Sequence, residues 1–227
     1  VALLSWGYLL TGAGMSMASM PAPHLGWSSK QGLMMFAMWW VMMIAMMLPG
    51  AAPMIMLYAT VASQAGRWAT TVLLVSGYLV VWGGFSIVAT AVQWQLTQSG
   101  LMLDMRTNSP LIAGLILVSA GIYQLSPIKA ACLQHCRSPM QFVTEHWRAG
   151  LSGALEMGLR HGGYCLGCCW ALMALLFVGG IMNLIWIGVL SALVLVEKVA
   201  PVGRRFARGT GILMTAIGLL SIAVSQV

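Results

Sequence analysis

The sequence predicts an all-α fold, a polytopic transmembrane helical bundle of six or seven spans that forms a single integral membrane domain over residues 1–227. Three observations lead there. Hydrophobic residues make up 60% of the chain and charged residues only 7%, against roughly 25% charged in soluble domains. Apolar runs recur at lengths that suit a bilayer core about 30 Å thick, which a helix crosses in about 20 residues. The cations are also distributed unevenly between the intervening segments.

Taken in order, apolar stretches divided by polar or Gly/Pro punctuation give spans near 2–18, 33–57, 70–94, 110–127, 164–182, 184–198 and 210–225. Val1 opens directly into the first apolar run, so residues are expected ahead of it and no targeting inference is drawn. The second span contains Pro49 and Pro53, which remove ladder hydrogen bonds and predict a bend there. Trp27, Trp39, Trp94, Trp147 and Trp186 fall near span ends, as an aromatic belt requires. The stretch 151–163, with Glu156, Arg160 and His161, is too polar for a lipid-facing span and reads as an interfacial or re-entrant helix. Glu156 and Arg160, one turn apart, are expected to neutralise each other. At the end of the sixth span Lys198 is expected to snorkel to the interface while Glu197 turns inward. Asp104 is expected to be exterior and solvated.

Arg67, Lys129, Arg137, Arg148, Arg160, Lys198, Arg204, Arg205 and Arg208 fall on one side, and Lys30 and Arg106 on the other. The richer side is cytoplasmic by the positive-inside rule. Seven spans then put the N-terminus inside and the C-terminus outside. The net charge of +7 follows from basic loops. Basic stripes with interleaved aromatics are absent, so the expected surroundings are a lipid bilayer and no nucleic acid is implied.

Two clusters carry chemistry. Of 19 methionines, Met34, Met35, Met38, Met42, Met43, Met46, Met47, Met54 and Met56 crowd the second span. Met35, Met38, Met42 and Met46 share a stripe at helical spacing, with Met43 and Met47 beside it. Thioethers are soft and select Cu(I), and a column of them moves the ion without burying an anion; the bland reading is adaptable packing. Met15, Met17, Met20 and His24 add donors in an exterior segment. The five cysteines fall into Cys132-x-x-His135-Cys136 and Cys165-x-x-Cys168-Cys169, the latter preceded by His161. Each group offers two or three soft donors on one helical face. Both belong to the cytoplasmic side, where thiols stay reduced and a disulfide framework is not expected. That leaves a metal, a reactive thiol pair or helix packing. Glu197 is a further candidate, as a hard ligand or proton acceptor. The sequence has no G-x-S-x-G, phosphate loop or HExxH, and only four acidic residues, which disfavours di-carboxylate and ATP-driven chemistry. No histidine pair lies mid-span to hold a haem.

Ala45-Met46-Met47-Leu48-Pro49 with Pro53-Met54 forms one block, and Tyr123-Gln124-Leu125-Ser126-Pro127 leads through Lys129 into Cys132 and Cys136-Arg137-Ser138-Pro139. Gly158, Gly162, Cys165, Gly167-Cys168-Cys169-Trp170 and Leu172-Met173 follow, then Glu197-Lys198, Pro201 and Gly203. These blocks together resemble domain of unknown function 2182, a group of bacterial membrane proteins described as metal-binding. The resemblance implies a multi-span helical protein of the bacterial inner membrane. The leading expectation is Cu(I) handling or delivery, with Met38, Met42 and Met46 guiding the ion and Cys132, His135, Cys136, His161, Cys165, Cys168, Cys169 and Glu197 as candidate ligands. Copper, or another transition metal, would then be bound, and a copper-accepting protein or a membrane enzyme complex would be the partner. A thiol or metal redox membrane protein and an accessory subunit of a larger membrane complex stand as alternatives. The sharpest expectation is that the two cysteine groups meet in one site.

Overall fold

The computed structural model describes residues 1–11, 28–62, 66–103, 106–107 and 109–225. Met15, Met17, Met20, His24, Trp27 and Asp104 lie outside the described residues. The elements are α1 (Ala2–Leu10), α2 (Ser29–Val61), α3 (Arg67–Gln98), the short strands β1 (Met102–Leu103) and β2 (Arg106–Thr107), α4 (Pro110–Leu125), α5 (Pro127–Arg137), α6 (Pro139–His146), α7 (Gly150–Ala174), α8 (Leu176–Gly179), α9 (Leu184–Val199) and α10 (Gly203–Val224). The strands pair antiparallel, Met102 opposite Thr107 and Leu103 opposite Arg106. Otherwise the described fold is helical.

Four helices are long and apolar enough to cross a membrane: Ser29–Val61, Arg67–Gln98, Gly150–Gly179 and Gly203–Val224. A fifth arises if α4 and α5, bent by 64° at their junction, count as one. Two expected spans are not among these: the first lies partly outside the described residues, with α1 covering 9 of them, and the 16 residues of α9 reach about 24 Å at 1.5 Å per residue.

The start of each helix is written locally. Ser28 and Gln31 form a capping box on α2, Ser109 caps α4 ahead of Pro110, and the Ser126 hydroxyl accepts from the Lys129 amide beside Pro127. Helix α2 runs unbroken through Pro49 and Pro53. Pro49 has no N–H for the Ala45 carbonyl four residues earlier. That oxygen accepts instead from the Trp6 indole N–H at 3.0 Å, which ties α1 to α2.

Close contacts set the directions. The Tyr78 hydroxyl donates to the Met47 carbonyl at 3.1 Å and the Trp39 indole to Gln93 at 2.7 Å, so α2 and α3 run antiparallel. A Cβ on Gly158 would strike the Leu74 backbone, and one on Gly162 would strike Val81; α3 and α7 therefore lie side by side in parallel, with backbones in contact. Gly114 meets Gly218 and Gly121 meets Gly211, which packs α4 antiparallel to α10. The ends rich in Arg and Lys thereby gather together: Tyr58 of α2 stacks on Trp147 at 5.5 Å, and Arg148 reaches Glu156 of α7 at 2.6 Å.

Several sequence expectations are corrected here. The stretch 151–163 is not a separate helix but the first half of α7. Glu156 and Arg160 lie on the outer face, where Glu156 binds Arg148 and Arg160, while His161 is buried and Gly158 and Gly162 face α3, so polarity on one side does not interrupt the helix. Trp39 is no belt residue, being fully buried. Lys198 does not snorkel to an interface but is 5% exposed, and Lys129 is 1% exposed. The methionine stripe does face inward. Met35, Met38, Met42, Met43, Met46, Met47 and Met54 are all buried, and Met34 and Met56 face out.

Candidate metal centre

Spacings of three and four residues on α7 put Cys165, Cys168 and Cys169 on one inward face, and all three are buried. The Cys168 and Cys169 thiols turn back on the Cys165 carbonyl, at 3.1 and 2.8 Å, which fixes their rotamers. From the last turn of α5, Cys136 brings its Sγ to 3.9 Å from that of Cys168. On the α2 side the Cys169 Sγ lies 3.6 Å from the thioether of Met47. Two sulfurs each about 2.3 Å from a shared ion stand roughly 3.8 Å apart at a tetrahedral angle and about 4.6 Å apart in a line. Both contacts therefore sit near the span of a sulfur-bridged ion. The cysteines are free thiols. Among the described residues, no group of three or more His, Cys, Asp or Glu side chains is arranged to hold a metal. The donor set is thus thiol pairs with a thioether alongside, which suits a soft, low-coordinate cation and not a closed tetrahedral site.

A family model described as PpoB2, copper chaperone, matches residues 36–221. The chain belongs to this copper chaperone family. The resemblance to domain of unknown function 2182 is thereby corrected, because the family that matches is PpoB2. The motif blocks that carry that resemblance all lie inside the matched stretch. No curated protein and no solved structure matches. Copper handling is the general function that membership brings, and the matched stretch of this copper chaperone contains all five cysteines.

Around the thiols, the tertiary structure of this copper chaperone sorts the remaining candidates. Cys165 interacts with Cys136, Cys168 and Cys169, and its Sγ is also held by the Tyr78 hydroxyl at 3.0 Å and the Lys198 ammonium at 2.9 Å. Cys132 is half-buried, packed against Gly167 one turn from Cys136. His135 turns outward, its Nδ1 2.9 Å from the Ala131 carbonyl and its ring stacked on Tyr164 at 4.2 Å. His161 is buried one turn before Cys165 between Tyr78 and Phe142, with ring centroids 5.9 and 5.2 Å away, and its Nδ1 has no hydrogen-bond partner among the described residues. Glu197 does not join the thiols. Its carboxylate accepts from Lys129 at 2.6 Å and from Gln124, because α9 packs its last turn against the α4–α5 bend. Met38, Met42 and Met46 lie earlier along α2, on the buried face that reaches the pocket at Met47.

Sequence reasoning missed Lys198 and Tyr78. A signal for the first existed. Adjacent helical residues point about 100° apart, so Glu197 and Lys198 cannot neutralise each other and each needs its own partner.

Proposed function

We propose that this copper chaperone carries Cu(I) within the bacterial inner membrane, drawing it along the methionine face of α2 into the thiol pocket and surrendering it to a copper-accepting protein or a membrane enzyme under assembly. The observation that carries the reading is the 3.9 Å approach of Cys136 and Cys168, two thiols from motifs 32 residues apart in sequence, inside a buried shell that Met47 connects to the methionine stripe. Neutral thioethers let a monovalent cation travel through apolar surroundings, and thiolates at the end of the row bind it more tightly. In this scheme Cys136 and Cys168 form the primary seat, Cys169 and Met47 the entry, and His161 an auxiliary donor one turn away. Delivery by thiol exchange needs no other cofactor.

Protein purified in detergent and loaded with Cu(I) under reductant is expected to show a sulfur-dominated X-ray absorption shell at about 2.3 Å. Replacing Met38, Met42 and Met46 together by leucine should slow loading by roughly tenfold and leave the final copper content unchanged. A nitrogen or oxygen shell would sink the thiol seat, and an unchanged loading rate would sink the methionine route.

The same reading places the cation-rich ends of the helices in the cytoplasm, with α2, α3, α4–α5, α7, α9 and α10 as crossings. Membrane-impermeant maleimide applied to intact cells should reach Lys30→Cys and miss Ser138→Cys and Arg205→Cys. Labelling at Ser138→Cys or Arg205→Cys would reverse the topology.

A further inference from the structure

Lys198 is the unusual group in the pocket. It is 5% exposed, at the end of α9, and its ammonium reaches the Cys165 sulfur at 2.9 Å. Space for its stem comes from Gly50, where a Cβ would stand 3.0 Å from the lysine Cδ; a larger residue between Pro49 and Pro53 would push the lysine out of its slot. Among the described residues, the salt bridges are Lys129–Glu197, Arg148–Glu156 and Arg160–Glu156, so no carboxylate answers the Lys198 charge. The nearby Glu197 carboxylate is already engaged by Lys129 and Gln124. Lys198 is thus a buried cation facing the thiols, and a buried cation is retained only where an anion or strong acceptors offset its desolvation.

We propose that Lys198 is the specificity-determining residue of the pocket, and that it keeps divalent metals out by repelling them and by withholding Cys165 from coordination. The inference rests on the thiol pocket being the copper seat proposed above. With the Lys198 ammonium donating to its sulfur and the Tyr78 hydroxyl, whose own proton goes to the Met47 carbonyl, packed 3.0 Å from it, Cys165 is engaged before any metal arrives. A metal on that sulfur would also stand within about 5 Å of Nζ, since the metal–sulfur bond of about 2.3 Å adds to a contact of 2.9 Å at most in a line. Coulomb repulsion scales with the product of the charges, so a divalent ion there meets twice the repulsion that Cu(I) does, in surroundings too dry to screen it. Cu(I) accepts the two-sulfur seat of Cys136 and Cys168. Zn(II) prefers four ligands and would have to recruit Cys165 and His161, the first of which Lys198 holds back.

The test is competition between Cu(I) and Zn(II) for the full chain in detergent, read by elemental analysis after desalting, in the wild type, Lys198→Met, Lys198→Arg and Cys136→Ser/Cys168→Ser. Lys198→Met is expected to shift the Zn:Cu preference toward zinc by at least about tenfold, because it removes the charge at similar volume and frees Cys165. Lys198→Arg restores the wild-type preference, which a merely space-filling role would not require. If Lys198→Met does not yield folded protein, Lys198→Gln carries the same expectation. An unchanged preference in Lys198→Met or Lys198→Gln, beside loss of copper from Cys136→Ser/Cys168→Ser, overturns the role of Lys198 alone. Copper retained in Cys136→Ser/Cys168→Ser overturns the thiol seat itself.

Discussion

Serine at both Cys136 and Cys168 is expected to weaken Cu(I) binding by at least roughly a hundredfold, more than the loss of an outer partner of a ligand. Hydroxyls are hard donors that stay protonated at neutral pH, and Cu(I) gains little from them. The two sulfurs are the pair that α5 and α7 bring to 3.9 Å, so their removal also unlinks the two motifs. Each single variant should lose less, because Cys169 lies within one turn of Cys168, beside Met47, and can substitute as a partial seat. Cys132→Ser, on the half-buried flank against Gly167, should bind copper like the wild type. Titration against a Cu(I)-specific chelator measures the effect, with circular dichroism confirming that helicity is retained. Wild-type affinity in the double variant would place the ion elsewhere, most directly on the methionine face of α2.

Lys129→Met is expected to destabilise the protein by about 3–5 kcal/mol, the cost of leaving one partner of a buried ion pair uncompensated. Lys129 and Glu197 meet at 2.6 Å with side chains 1% and 2% exposed. Gln124 completes the arrangement, with its Oε1 accepting from Lys129 at 2.5 Å and its amide donating to Glu197 and, at 3.0 Å, to Thr210. One network therefore joins α4, α5, α9 and α10 where four helices meet. Without the lysine, the Glu197 carboxylate keeps only the Gln124 amide in surroundings that exclude water. The double variant Lys129→Met/Glu197→Leu should recover most of the loss, since an apolar pair needs no desolvation. Denaturant unfolding in detergent, followed by tryptophan fluorescence, gives all three stabilities. A loss below about 1 kcal/mol in the single variant would mean that water reaches the pair.

What the sequence determined by itself was the helical secondary structure, the apolarity of helices long enough to cross a membrane, and the inward turn of the methionine stripe. Each of these depends on local composition and period: few charges, apolar runs of helical length, and thioethers recurring every three or four residues. The pairing of the two cysteine groups was also within reach, because neither alone offers enough donors for a metal. Partners across helices were not. Periodicity tells which face a residue occupies and says nothing about what that face meets, so Glu197 read as a ligand and Lys198 as a snorkelling end. In the tertiary structure the bend between α4 and α5 brings Lys129 to the Glu197 carboxylate, and Lys198 points at Cys165 instead of an interface. The unbroken course of α7 through Glu156 and Arg160 was likewise decided in three dimensions. Glu156 is answered by Arg148 from the segment before the helix and by Arg160, and the glycine face behind them packs on α3 whatever the outer face carries.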